Sequence, residues 1–364
     1  MLTSSKNSDA FLELVRLGIG HEFSGFPENV DWLDIKALAI KHGLSAVVLD
    51  GIELLPKKSI PPKAFILPWI GEILQTYEQR YDLYCRTIAE MAAWHNAHGF
   101  KMMVLKGYAC ALNWPKSNHR PCGDIDIWQF GQQEEADEAL NAWFKVQGSK
   151  FKIDTSHHHH TVFEWKGFTV ENHYDFLNIH HHKSNVELEK VLKGLGQDDS
   201  HFVEVNGEKV YLPSPNLHAL FLLRHSMSNF ASVGFQLRQL LDWAFLVEKH
   251  GKEIDWKWLE SQLDRYGMKR LYGIFNAICV GDLGFDVSIF PVVQFNPDVK
   301  DRVLNDILSP EFTEKERGGF IRRAFFKYRR WKANAWKHEL CFSESMSSAL
   351  WSGVWSHLLK PASI

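Results

Sequence analysis

Two aspartates one residue apart open the functional reading: Asp124 and Asp126, within Gly123-Asp124-Ile125-Asp126-Ile127. In an extended strand, successive side chains point to opposite faces. The two carboxylates therefore project together while Ile125 and Ile127 turn toward the core. Neighbouring anions repel, and burying both without a cation is expensive. A hard divalent ion resolves the conflict. Mg²⁺ takes oxygen ligands, commonly one or two carboxylates together with substrate phosphates. A D-x-D pair also occurs on many exposed strand edges, so its surroundings decide what it means.

Upstream, the apolar run Lys101-Met102-Met103-Val104-Leu105 leads straight into Lys106-Gly107, and Tyr108-Ala109-Cys110-Ala111-Leu112 can start a helix. A glycine at a strand-to-helix turn lets phosphate approach the backbone, and a helix N-terminus favours an anion. Gly107 and Asp124 are 17 positions apart, enough for a short helix and a returning loop. Lys106 and Arg120 are cations suited to phosphate oxygens.

These residues need a scaffold, and three regions are expected. Residues 1–97 read as helical, with the stripe Ile73, Tyr77, Tyr81, Tyr84, Ile88, Met91 on one face of a long helix. Pro56, Pro61, Pro62 and Pro68 mark a loop before it. Residues 98–212 carry the strand signals and form the expected catalytic domain. Thr161–Trp165 and Phe168–His173 flank Lys166-Gly167 as a hairpin, and a helix is expected over about 134–146. Residues 213–364 return to helix, opened by Pro213-Ser214-Pro215. Strands interleaved with helices imply an α+β fold, a mixed sheet with helices packed on it.

Val104-Leu105-Lys106-Gly107 followed by Arg120-Pro121-Cys122-Gly123-Asp124-Ile125-Asp126-Ile127 resembles the uncharacterised nucleotidyltransferase family of the polymerase-beta-like superfamily. Val170-Glu171-Asn172-His173 stands where that family has its third pattern. The resemblance spans roughly residues 30 to 285 and reaches, more loosely, Arg224-His225 and Leu241-Asp242-Trp243. It implies a polymerase-beta-like mixed sheet flanked by N-terminal and C-terminal helical regions. It also implies a nucleotidyltransferase that uses two Mg²⁺ (or Mn²⁺) ions and moves a nucleoside monophosphate from a nucleoside triphosphate to an acceptor. Asp124, Asp126 and Glu171 are the implied metal ligands and catalytic carboxylates, with Asp175 as the fallback for Glu171. Lys106, Gly107, Arg120 and His173 are the implied nucleotide-binding residues. Glu171 and His173 share strand parity, so both can face the site. Tyr108 departs from the superfamily's first motif, where Gly or Ser follows the glycine. That departure, with the unassigned third carboxylate, supports a second expectation: a catalytically inactive nucleotide-binding or regulatory module of the same fold. The acceptor is open among a small molecule, a protein and an RNA.

Composition narrows the rest. The formal charge of −3 gives no global attraction to nucleic acid or anionic lipid. Cys85, Cys110, Cys122, Cys279 and Cys341 form no CxxC pair, which argues against a disulfide framework or a thiolate zinc site and fits a reducing cytoplasm. The N-terminal segment lacks the apolar core of a signal peptide, and no run approaches a transmembrane span. A cytoplasmic location is therefore expected.

Two features stand outside the motif. His157–His160 and His180–His182 are histidine tracts. By strand parity His158 and His160 share one face and His157 and His159 the other, so adjacent histidines are not expected to converge on one zinc ion. One of them is expected to line the cleft beside Glu171. The segment from Phe320 to Trp336 is a basic amphipathic helix, with Ile321, Ala324, Phe325, Tyr328 and Ala335 opposite Arg322, Arg323, Lys327, Arg329 and Arg330. A core-docked helix with a cationic outer face is expected, with weak surface contact to a membrane or nucleic acid as the alternative. Trp331, Trp336, Trp351 and Trp355 suit an interface.

Overall fold

Alternating residues at Ile125–Trp128 and Phe168–His173 become neighbouring strands in the computed structural model, which describes residues 5–146, 152–157, 159–179, 182–232, 234–292, 294–310 and 320–345. The strands are β1 (Met103–Val104), β2 (Ile125–Trp128), β3 (His160–Trp165), β4 (Phe168–His173), β5 (Phe202–Val205) and β6 (Glu208–Tyr211). They make one six-stranded sheet in the order β3-β4-β2-β1-β6-β5. Strands β2 and β4 pair in parallel, as do β1 and β6, while β1 with β2 and the hairpins β3–β4 and β5–β6 are antiparallel. The fold class is thus α+β with a mixed sheet.

The expected hairpin turns at Lys166 and Gly167, with φ of 49° and 81°. Positive φ at both positions is the turn whose twist matches that of the flanking strands. It sets His160 opposite His173 and Val162 opposite Glu171.

The described residues group into two compact units. One holds residues 75–222 and 252–255 and contains the whole sheet. The helix Gln79–Ala97, placed with the N-terminal region by the sequence, lies in this unit. Its Tyr84, Ile88 and Met91 join Ile125, Ile127, Phe163, Val170 and Leu140 in one buried cluster. Leu140 comes from the helix Gln133–Val146. Parity therefore assigns Ile125, Ile127 and Val170 to the core face and Asp126, Glu171, His173 and His160 to the other.

The other unit holds residues 5–74, 223–251 and 256–345 and is helical among its described residues. Ser5 and Asp31 cap the helices Lys6–Gly18 and Trp32–Lys41 by accepting backbone N–H groups. No described helix is long and apolar enough to cross a membrane.

Several expectations change. The expected strand from Lys101 shrinks to two residues, because the Leu105 N–H bonds to the Asp126 carbonyl at 2.9 Å and the chain then turns into the helix Lys106–Ala111. The stripe from Ile73 to Met91 runs through a π-helical turn at Leu74–Glu78 rather than one uninterrupted α-helix. The basic helix spans Phe320–Ala333, and Phe325 and Tyr328 are 61% and 54% exposed instead of facing the core. His158, His180, His181, Trp351 and Trp355, and the side chains of Ile321, Arg323 and Ala324, lie outside what is described.

Candidate active site

Strands β2 and β4 run side by side with Asp126 level with Glu171. Because the pairing is parallel and in register, both carboxylates leave the same face of the sheet. Asp126 is 2% exposed, a position where an unpartnered carboxylate would be costly. Its Oδ1 accepts from two donors. Lys106 Nζ stands 2.7 Å away, and His173 Nε2 donates from 2.9 Å. His173 also reaches Glu171 Oε2 at 3.5 Å and gives its Nδ1–H to the Asp175 carbonyl at 3.2 Å.

Both nitrogens of His173 thus face oxygen acceptors, an arrangement suited to the imidazolium. Burial alone lowers the pKa of this ring, but the bonds to Asp126 and Glu171 prevail and leave it raised. Lys106 follows the same logic: burial opposes its charge, and Asp126 restores and raises it. Burial opposes the charge of Asp126 too, yet Lys106 and His173 hold its carboxyl far below the usual range.

Asp124 precedes β2 by one residue and is exposed. Partial desolvation, then the Asp126 carboxylate, push its pKa up, while Lys106 opposes the rise. The aspartates therefore differ in setting: Asp126 is buried and ion-paired, Asp124 open at the rim. Among the described residues, the oxygen and nitrogen atoms that lie within 4.8 Å of one another come from Asp126, Glu171 and His173, not from Asp124. A second group, His159, His160 and His173, meets the same distance. His160 Nε2 lies 4.0 Å from Glu171 Oε1, and burial lowers the His160 pKa to about 4.

The remaining sequence candidates fall into place around this group. Gly107 is the second residue of its helix. Its missing side chain matters for packing. A Cβ there would meet the Tyr84 hydroxyl at 2.6 Å and the Asp124 carbonyl at 3.4 Å. Tyr84 Oη uses that space to donate to the Asp124 carbonyl at 2.8 Å. Arg120 is 5% exposed in the loop before β2, with Nη1 on the Pro121 carbonyl at 3.3 Å. Asp175 is engaged by Lys193.

Sequence reasoning missed two supports. Asp137 on the helix Gln133–Val146 accepts from Thr161 Oγ1 (2.6 Å), Asn172 Nδ2 (2.9 Å) and Tyr174 Oη (3.0 Å), which fastens β3 and β4 from the core face. Tyr84 was visible only as one aromatic in a helical stripe. Neither has a local motif, since their partners lie 24 to 40 residues away.

The donor set fits a hard divalent ion. Asp126 and Glu171 converge with His173, Asp124 lies exposed at their edge, and the three carboxylates exceed the two cationic groups, Lys106 and His173, by one negative charge. With fold and geometry in hand, the family is clear. A family model described as uncharacterised nucleotidyltransferase matches residues 28–280, and the chain belongs to that family. A solved structure that it resembles is that of an antigenic nucleotidyltransferase-like protein from Paracoccidioides brasiliensis, with 15% identity and a TM-score of 0.34 over 50% of this chain and 85% of the other. No curated protein matches the chain.

Proposed function

We propose that this chain transfers a nucleoside monophosphate from a nucleoside triphosphate to an acceptor hydroxyl. The observation that carries the reading is the in-register pair Asp126–Glu171, faced by Lys106 and flanked by Asp124. In this reading the acceptor oxygen gives its proton to solvent and forms a bond to the α-phosphorus, the bond to the bridging oxygen breaks, and pyrophosphate leaves. Asp124, Asp126 and Glu171 hold Mg²⁺ or Mn²⁺, which when bound offsets the triphosphate charge and eases deprotonation of the acceptor. Lys106 Nζ serves the phosphate oxygens once Asp126 has another cation to answer. His173 orients Asp126 through its Nε2 bond to Oδ1 and is a positioning residue.

A second reading, an inactive nucleotide-binding module, has one observation in its favour. Lys106 and His173 already occupy Asp126 Oδ1, so the most buried carboxylate is neutralised without an added ion. One experiment separates the two. The chain is incubated with each labelled triphosphate and Mg²⁺ or Mn²⁺, scoring self-modification and then transfer to cell-extract fractions, alongside thermal shifts with the same ligands. Metal-dependent pyrophosphate release that disappears in Asp124→Asn and Asp126→Asn supports the transferase. Nucleotide-dependent stabilisation with no turnover across all acceptors supports the module.

A further inference from the structure

Four histidine rings gather at the end of the β3–β4 hairpin away from its turn. His159 and His160 have ring centroids 4.3 Å apart, His160 and His173 5.4 Å, and His159 and His173 5.8 Å, while His157 stacks on His160 at 4.7 Å. Strand parity argued against convergence of neighbouring histidines, but strand β3 begins only at His160. His159 lies before it, and its carbonyl accepts the N–H groups of Tyr174 and Asp175 at 2.8 and 3.0 Å. That bend ties residue 159 to the chain leaving β4 and frees it from strand alternation.

We infer that His159, His160 and His173 form a binding site for a borderline transition-metal ion of the Zn²⁺ class. One ligand atom from each histidine lies within 4.8 Å of the others. Zn–N bonds of about 2.0–2.1 Å place tetrahedral ligand nitrogens about 3.4 Å apart, so binding draws the three rings together from separations of up to 4.8 Å. A second observation points the same way. The His160 side chain is 9% exposed, and its Nδ1 is buried with no hydrogen-bond partner among the described groups. A buried ring nitrogen is ordinarily satisfied, and a metal ion satisfies it. A third is the Nδ1–H of His173 on the Asp175 carbonyl, the kind of outer-shell bond that leaves Nε2, here on Asp126, as the ligating nitrogen. Imidazole donors suit zinc, nickel and cobalt rather than magnesium.

This site is chemically distinct from the carboxylate group while sharing His173 with it. An ion on the imidazoles displaces the Nε2 proton to solvent and draws His173 away from Asp126, so occupancy of one group reports on the other. The inference does not depend on nucleotidyl transfer, and its test needs no substrate. Untagged full-length chain stripped with a chelator is titrated with Co²⁺, read by its visible absorption, and then with Zn²⁺ in competition. The expected result is one equivalent of Co²⁺ displaced by Zn²⁺. His160→Ala and the more accessible His159→Ala each weaken binding at least about tenfold, while Glu187→Gln, an exposed acid outside both groups, binds as the wild type does. Far-UV circular dichroism confirms that each variant is folded. Absence of a stoichiometric Co²⁺ spectrum overturns the site, as does wild-type affinity in the folded His159→Ala variant. A loss in Asp124→Asn equal to that in the histidine variants also overturns it, because the ion would then sit on the carboxylates.

Discussion

The hydroxyl of Tyr84 occupies the space that a side chain on Gly107 would need, and from there it holds the Asp124 carbonyl at 2.8 Å. Three segments distant in sequence thus meet at one oxygen. Tyr84→Phe loses one hydrogen bond, about 1 kcal/mol. Gly107→Ala forces the hydroxyl aside and costs more, about 1–3 kcal/mol by the usual penalty for overpacking. The double variant is expected to be more stable than the sum of the two losses, since the ring carbon behind the hydroxyl is 3.7 Å from the added methyl. Denaturant unfolding of the four proteins measures the coupling. Strict additivity would show that the two residues do not compete for this space.

Asp124 and Asp126 should separate in stability while agreeing in activity. Removing charge from buried Asp126 strands Lys106, a loss of about 3–5 kcal/mol for breaking a buried ion pair. Asp124 is exposed, and Asp124→Asn should change stability by less than about 0.5 kcal/mol. Both variants should lose at least about a hundredfold in metal-dependent pyrophosphate release, the scale of losing one charge-stabilising group. Equal melting temperatures for the two variants would contradict the burial difference.

Lys106 acts as an internal substitute for an added cation at Asp126 Oδ1. Lys106→Met should therefore destabilise the metal-free chain and enlarge its stabilisation by Mn²⁺ relative to wild type. Melting curves with and without the ion give the comparison. An equal shift in both proteins would mean that the ammonium and the ion do not contend for the same carboxylate.

His42 supplies a pH signature in the helical unit. Burial, and then Lys41, lower its pKa from 6.5 to about 3, so it is neutral at pH 7, and its Nδ1 accepts the Leu237 N–H at 3.3 Å. The unfolded chain takes up a proton near pH 6.5 that the folded chain refuses until about pH 3. Stability therefore falls as pH drops through that window. Between pH 7 and pH 5 the wild type should lose about 2 kcal/mol more than His42→Asn, whose side-chain oxygen can still accept the N–H. Parallel stability–pH curves for the two proteins would refute it.

Local geometry was legible in the sequence, and long-range geometry was not. Alternation at Ile125-Asp126-Ile127 announced which face Asp126 takes, and Lys166-Gly167 announced the hairpin, because both are local rules of one strand or one turn. The partner of Asp126 across the sheet was harder to read. Glu171 becomes its neighbour through parallel pairing of strands about 45 residues apart, and pairing of that kind leaves no local trace. The same holds for Tyr84 with Gly107 and for Asp137 with Thr161 and Asn172. In the histidine tract a local rule was applied one residue before strand β3 starts, so parity does not govern His159.

The two-residue turn at Lys166 and Gly167 lies at the end of the hairpin remote from the carboxylates, yet it decides their company. Inserting a single residue there would shift β3 against β4 by one position, and His160 would rotate to the sheet's apolar side away from Glu171 and His173. The spacing of that reversal thus sets which face His160 takes although the turn itself touches none of the carboxylate group. Tolerance to substitution at Lys166 and intolerance to length change is the pattern such a remote ruler leaves behind.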